Sequence, residues 1–277
     1  MIDNGYLFAK DNKRIFINTS LGCAGQCAYC YLPQMGYSNS SENYKTISAQ
    51  TIIDFIEKNK LDINQKTLIT LGCYSECWDK YNKIETVNLI KYFLKKGNQI
   101  QLSTKKQIMK EELTEILPLI NYFGQLVIFV SSATISKHDT IEKNTTPIPN
   151  RFQNFSLFNS LDIPVVLYMK PVLKGITIND LELYKKYIEK YNIKDVVVGS
   201  IFTNYISKET VHFSNKNELF YTKNSDEDMI ISELSKITNV YKRSSEVMYK
   251  YNVSNHIEKV KNEVAKLLEG DNSGHGL

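Results

Sequence analysis

The sequence predicts an α/β fold, a partial (β/α)6 TIM-like barrel followed by a C-terminal helical extension. Two observations predict it. From residue 14 to about residue 200, short apolar runs alternate with segments of helical periodicity, the pattern of repeated βα units and a parallel sheet. The runs are also almost continuously apolar, as strands are when both sheet faces are covered. Right-handed crossovers curl such units into an open or partial barrel. With 277 residues, 42% of them hydrophobic, the chain can bury a full core without disulfides.

RIFINT (14–19) reads as the first strand. SAQTIIDFIEKN (48–59) reads as a helix, with Ile52, Ile53 and Ile56 at helical spacing and Ser48 as N-cap. KTLITLG (66–72) is the second strand. In IETVNLIKYFLKKG (84–97), Ile84, Val87, Ile90 and Leu94 are expected along one helix face, and Gly97 stops it. NQIQLST (98–104) is the third strand, MKEELTEIL (109–117) a helix ending before Pro118, and QLVIFVS (125–131) the fourth strand. A helix over 149–160, a fifth strand IPVVLYM (163–169), a helix NDLELYKKYIEKY (179–191) and a sixth strand DVVVGS (195–200) follow. The repeating pattern then stops. Residues 1–200 are expected to form the core and 201–277 an extension. Amphipathic helices over 225–237 and 254–270 would serve there as a lid or cover a sheet edge.

Lys and Arg exceed Asp and Glu by 34 − 30 = 4, a mildly basic balance that neither requires nor excludes nucleic acid. No apolar run approaches the ~20 residues of a membrane span. The first residues, MIDNGYLFAKDNKR, hold no apolar h-region. The expectation is a cytoplasmic protein with no membrane partner. Five cysteines, an odd number without an export signal, argue against a disulfide framework.

Those cysteines are clustered. Cys23, Cys27 and Cys30 fall after the first strand, and Cys73 and Cys77 after the second. Lys105 follows the third strand and Ser131 ends the fourth. In a βα barrel all of these belong to the rim at the strand C-termini, where active sites are built. The loop LGCAGQCAYCYLP (21–33) has the spacing C-x3-C-x2-C. Three thiolates on one short loop can hold three corners of a cubane iron–sulfur cluster, leaving the fourth iron open to a ligand. The alternative is a zinc site, for which Cys73 or Cys77 would supply a fourth ligand.

The C-x3-C-x2-C loop, with an aromatic residue before its last cysteine, resembles that of the radical S-adenosylmethionine (SAM) enzymes. The CAYCYLP stretch is similar to the spore photoproduct lyase and DNA repair photolyase-like group, and the similarity continues over roughly residues 14–200. Relatives in that group commonly carry Asp-Pro-Tyr-Gln-Pro-x-Glu after the second strand. Asp79, Tyr81 and Glu85 match it, whereas Lys80 and Lys83 stand where the prolines would be. IQLSTKKQIM (100–109) resembles a Thr-Lys signature, and HDTIEKNTTPIPNRF (138–152) a loop with Glu142 and Arg151 in the matching places.

The resemblance implies a 4Fe–4S cluster on Cys23, Cys27 and Cys30, with SAM bound to its open iron and cleaved to a 5′-deoxyadenosyl radical. It implies that Ser75 and Glu76 meet the SAM ammonium, that Lys105 and Ser131 meet its carboxylate, and that Tyr29 flanks the adenine. Arg151 would bind a carboxylate or a substrate phosphate. Cys73-Tyr74-Ser75-Glu76 looks like the Cys-Thr-Ser-Asp string of spore photoproduct lyase, which implies Cys73 as a hydrogen-atom donor and Tyr31 as its relay. Packing in the core is the competing reading for Cys73.

Three functions follow. A radical SAM enzyme of lyase or oxidoreductase type, acting on a peptide or small molecule, is favoured, because no basic stripe with stacking aromatics marks a nucleic-acid surface. Nucleic-acid repair is the second, and a non-catalytic iron–sulfur or zinc protein the third. The first two require a reducing partner such as flavodoxin or ferredoxin.

Overall fold

The computed structural model describes residues 5–11, 13–40, 45–203, 210–213 and 220–252. In chain order the strands are β1 (Leu7–Asp11), β2 (Arg14–Ile17), β3 (Ser20–Leu21), β4 (Lys45–Thr46), β5 (Leu68–Leu71), β6 (Ile100–Thr104), β7 (Leu126–Ser131), β8 (Val165–Met169), β9 (Asp195–Val198), β10 (Ile201–Thr203), β11 (Thr210–Phe213), β12 (Phe220–Thr222) and β13 (Asn239–Tyr241). The α-helices are α1 (Ala49–Lys58), α2 (Lys83–Lys95), α3 (His138–Ile141), α4 (Ile148–Arg151), α5 (Gln153–Ser160), α6 (Leu181–Lys190) and α7 (Ser225–Leu234).

The main sheet has eight strands in the order β1-β2-β5-β6-β7-β8-β9-β13. From β2 to β13 every neighbouring pair is parallel, and β1 closes an antiparallel hairpin on β2. The fold is therefore a mixed α/β arrangement on a mostly parallel sheet. All six expected strands are present. The hairpin strand β1 and the seventh parallel strand β13 were not expected.

β7 is buried along its whole length because each face has a cover. Ile128 and Val130 pack into the cluster formed with the helices. Val127 and Phe129 face the other way, against Val166, Val197 and three residues of a helical stretch at 244–252, namely Val247, Met248 and Tyr251. Each such fully buried side chain contributes about 1.5–3 kcal/mol. The stretch is fixed to the strand N-termini: Gln99 Nε2 donates to Met248 O at 3.0 Å, and the fully buried Asp195 accepts from Lys250 Nζ at 2.6 Å and from the Tyr251 hydroxyl. This part of the C-terminal region covers the end of the sheet opposite the cysteines. α7 forms as expected within 225–237, while the expected helix over 254–270 lies outside the described residues.

Two expectations need correction. The stripe of α2 is Thr86, Leu89, Ile90, Phe93 and Leu94, whereas Ile84 is 71% exposed. Spacings of three and four from Thr86 collect more apolar volume than the line drawn from Ile84. The helix over 109–117 is instead two 3-10 turns, Lys110–Leu113 and Leu117–Leu119. Glu112 is held there by its neighbours, accepting from Met109 N at 2.9 Å, from Trp78 Nε1 at 2.9 Å and from Lys83. Pro118 then removes the donor a longer helix would need.

Candidate active site

The cysteine loop leaves β3 and is clamped by backbone hydrogen bonds on both sides. Gly22 N donates to Tyr74 O at 3.1 Å and Cys23 N to Ser38 O at 2.9 Å. On the far side, Ala28 N donates to Ile141 O at 2.8 Å and Asn144 N to Gly25 O at 3.1 Å. The loop is thereby held over the C-terminal ends of β5, β6 and β7. Cys23, Cys27 and Cys30, all half-buried, line a cavity of about 970 Å³ together with Cys73, Ser75, Glu76, Lys105 and Ser131.

Three free cysteines on one short loop, all lining the same cavity, are the donor set of an iron–sulfur cluster. A side chain on Gly25 would put its Cβ 3.2 Å from Cys23 Sγ and 3.8 Å from Cys27 Sγ, so the backbone there passes as close to the sulfurs as it can. Burial, then the Glu76 charge, pushes the Cys23 thiol up to about 12, and burial also raises Cys27 and Cys30. Thiols in this setting become thiolates when a metal charge is placed against them. Cys77, considered as a fourth zinc ligand, is buried and donates its S–H to Ser103 O at 3.3 Å, outside the cavity lining.

Gly72 opens the second loop, just before Cys73. Its φ of +83° is left-handed, and a Cβ there would meet Cys77 Sγ at 2.8 Å and Ser103 O at 3.0 Å. The turn sends Cys73 to the cavity and Cys77 to the core. Glu76 follows and joins two loops. Its Oε1 accepts from the Thr104 hydroxyl at 2.5 Å and from Trp78 N at 3.1 Å, and its Oε2 accepts from Lys105 N at 2.8 Å. Most of its acceptor capacity is thus spent inside the protein. Ser75 Oγ, by contrast, is buried on the cavity wall with no hydrogen-bond partner among the described residues, the sort of orphan a polar ligand satisfies.

Lys105 and Ser131 are brought together, with Nζ and Oγ 3.0 Å apart and Nζ 5.7 Å from the centre of the Tyr29 ring. Burial lowers the Lys105 pKa, but Cys27 and Glu142 outweigh it and the group is held above its usual value, hence cationic. Arg151 lies elsewhere. It is fully buried outside the cavity lining, with Nη1 at 2.5 Å from Glu142 Oε2 and 2.9 Å from Ser131 O, Nε at 3.0 Å from Thr146 O, and Nη2 on Thr145 Oγ1. Glu142 also accepts from the Tyr29 hydroxyl. The expectation that Arg151 touches a ligand is therefore corrected: it sits behind the wall and braces Ser131 and, through Glu142, Tyr29.

Tyr31 and Cys73 meet at the cavity. The Tyr31 hydroxyl lies 2.5 Å from Cys73 O and 3.9 Å from Cys73 Sγ. Burial and the nearby Cys73 and Tyr74 hold its phenol well above the usual range, so it keeps its O–H at neutral pH. Sequence reasoning missed three cations of the cavity, Arg14, Lys106 and Lys170. The signal was present: in β2 the buried residues Ile15 and Ile17 alternate with Arg14 and Phe16, which turns the latter pair to the opposite face.

A family model described as the Radical SAM superfamily matches residues 17–188. No curated protein matches the chain. Among solved structures, "Spore photoproduct lyase complexed with dinucleoside spore photoproduct" aligns with a TM-score of 0.60 at 12% identity, covering 80% of this chain and 74% of that one. A doubly substituted spore photoproduct lyase with bound AdoMet and dinucleoside spore photoproduct gives 0.58 at 14%, covering 82% and 75%. Streptococcus suis SuiB bound to S-adenosylmethionine gives 0.54 at 13%, covering 83% of this chain and 49% of SuiB. At these identities the likeness is one of fold. No helix among the described residues is long and apolar enough to cross a membrane. The family match spans well over half of the chain, and its first strand runs straight into the three-cysteine loop: the chain belongs to the Radical SAM superfamily, whose members use a 4Fe–4S cluster and SAM.

Proposed function

We propose that this protein is an enzyme that abstracts a hydrogen atom from a small molecule or peptide held in the cavity and returns one through Cys73 and Tyr31. The observation that carries this reading is the Tyr31 hydroxyl 3.9 Å from Cys73 Sγ, on the cavity that the three loop cysteines also line. When bound, the cluster and SAM supply the reductive cleavage that yields methionine and a 5′-deoxyadenosyl radical. Cys23, Cys27 and Cys30 hold the cluster. Ser75 Oγ accepts a hydrogen bond from the SAM ammonium, with Glu76 adding negative charge beside it. The Lys105 ammonium and Ser131 hydroxyl meet the carboxylate, and the Tyr29 ring flanks the adenine. At the end of turnover the Cys73 S–H bond breaks as a C–H bond forms on the substrate radical. The Tyr31 O–H then restores the thiol. One electron from a reducing partner such as flavodoxin or ferredoxin, and one proton from solvent, restore Tyr31.

A second reading is repair of a nucleic-acid lesion. The likeness of fold to lyase structures that hold a dinucleoside spore photoproduct favours it. The first is preferred because the sequence carries no basic stripe interleaved with stacking aromatics. Salt-dependent binding of a DNA duplex would mark the second reading.

The Cys73→Ala enzyme tests the proposal. It is expected to assemble its cluster, bind SAM and form 5′-deoxyadenosine, while the normal product of its substrate falls or gives way to a diverted adduct. Wild-type product at wild-type yield would make Cys73 a packing residue. A separate expectation concerns Lys105→Ala, which should leave the cluster spectrum intact and weaken SAM binding by roughly 1.5–3 kcal/mol, the worth of a hydrogen bond to a charged group. Equilibrium dialysis with labelled SAM measures it, and unchanged affinity would remove Lys105 from the site.

A further inference from the structure

We infer that an acidic one-electron carrier of the flavodoxin type docks on the outer face of the cysteine loop, its flavin edge over Gln26 and Ala28 and its carboxylates on Lys137 and Lys143. The inference rests on the reading of the cavity as a site of reductive SAM chemistry, which consumes an electron that must cross the protein surface. It starts from the thickness of the wall. Cys23, Gly25, Cys27 and Tyr29 line the cavity, whereas Gln26 and Ala28 are outside its lining and exposed. Side chains thus alternate across the loop, which is one chain thick there, with sulfur on its inner side and solvent on its outer side.

Residues 141–144 run beside this loop. Cys27 and Glu142 form an antiparallel bridge, and Ala28 N donates to Ile141 O at 2.8 Å. Asn144 donates to two loop carbonyls, from its N to Gly25 O at 3.1 Å and from its Nδ2 to Ala24 O at 3.2 Å. This ribbon sorts its charges by side. Glu142 is turned inward, fully buried against Arg151 and the Tyr29 hydroxyl, and Lys143, next in the chain, is exposed. Lys137, also exposed, opens α3, the short helix that ends at Ile141. Lys106 reaches the same ribbon, its Nζ 3.0 Å from Asn144 O.

Charge and shape point to the partner. From Ile15 to Ser41 the sequence holds no charged side chain. The loop is therefore neutral and, at Ala24, Gly25 and Ala28, nearly free of side-chain bulk. The apolar edge of a flavin ring can approach such a surface closely, and electron transfer falls off exponentially with distance. Beside it stand Lys106, Lys137 and Lys143. Over residues 137–145 Asp139 is the one exposed carboxylate, 2.9 Å from His138 Nδ1. Lysines around a neutral window attract a carrier whose flavin edge is ringed by carboxylates, speeding encounter and fixing orientation. Flavodoxin hydroquinone then gives up one electron and becomes the semiquinone, and the cluster takes that electron.

Stopped-flow mixing of the reconstituted, SAM-bound protein with reduced flavodoxin follows bleaching of the cluster. Carbodiimide cross-linking to oxidised flavodoxin, read by mass spectrometry, locates the contact. The bimolecular rate is expected to fall with ionic strength, and cross-links are expected at Lys137 or Lys143. Protein carrying both Lys137→Glu and Lys143→Glu should be reduced at least roughly tenfold more slowly at low salt. Asp139→Lys should be reduced faster than wild type, an acceleration that no loss of fold could produce. Neither variant should change the yield of 5′-deoxyadenosine with excess dithionite, because none of the three side chains lines the cavity. A rate indifferent to salt and to these charge changes, cross-links confined to other faces, or reduction by ferredoxin but not by flavodoxin would overturn the inference. Lysine reversal that weakens binding of a DNA duplex and leaves flavodoxin untouched would overturn it in favour of nucleic acid. Wild-type protein that flavodoxin reduces at these lysines, yet forms no 5′-deoxyadenosine even with dithionite, would uphold the docking surface and defeat the proposed function.

Discussion

Anaerobically reconstituted Cys27→Ala protein is expected to hold little or no iron, to lack the brown absorbance of the wild type, and to form no 5′-deoxyadenosine from SAM. The effect is all-or-none because three thiolates on one loop leave no redundant ligand. Cys73 is engaged with Tyr31, and Cys77 is turned into the core against Ser103 O. Cys77→Ala is the informative companion. It should keep its iron and lose stability only, by about 1–3 kcal/mol for a buried side chain shortened in place. Iron retained in Cys27→Ala, or lost in Cys77→Ala, would contradict the assignment.

The second large effect is expected at the buried pair behind the wall. Arg151 and Glu142 are both fully buried, and Arg151→Met leaves the carboxylate without its ion-pair partner. Breaking such a pair costs about 3–5 kcal/mol, more than any exposed ion pair of this chain would. For a domain of this size that is a fall in Tm of roughly 10 °C. Adding Glu142→Gln to Arg151→Met should restore part of the loss, since the uncompensated charge is then gone. The pH dependence has a definite sign. Burial raises the Glu142 carboxyl, but Arg151 and Lys105 outweigh it and hold it below its usual value. Its contribution to stability is therefore present above the unfolded value, about 4.3, and is lost as pH falls through the depressed folded value. In Arg151→Met, burial is opposed by less positive charge and the pKa rises. The deficit relative to wild type is expected to shrink as pH approaches 4, which thermal melts across pH 4–8 would measure. A deficit constant with pH would show that the loss is one of packing.

The parallel strands were legible because each is an unbroken apolar run with a helix or turn after it. The cysteine motif was legible because its three ligands lie within eight residues and need no fold to bring them together. β1 escaped notice because LFAKD carries charges and is stabilised by its hairpin with β2, and β13 because three residues, NVY, give no period to read. Pairing across the sheet, which sequence pattern does not encode, makes both into strands. The cluster half of the cavity could be anticipated from strand-end residues alone. Its aromatic half joins Phe8 to Tyr221, and only the folded sheet brings them to one space. Arg151 shows the opposite error. An arginine at a position matched to a functional loop reads as a ligand contact, and only its complete burial, with Glu142, Ser131 O and Thr146 O on its donors, reveals a brace.

Reductive SAM chemistry in this cavity is directly open to measurement. Its most direct test is the anaerobic assay of wild-type protein reconstituted with iron and sulfide, given SAM and a one-electron reductant, with 5′-deoxyadenosine and methionine quantified together. Both products are expected in equal amounts, dependent on protein and reductant, from protein carrying one 4Fe–4S cluster. Protein with its full complement of iron and no 5′-deoxyadenosine above the protein-free control, or an anaerobic preparation with stoichiometric zinc and no iron, would contradict it.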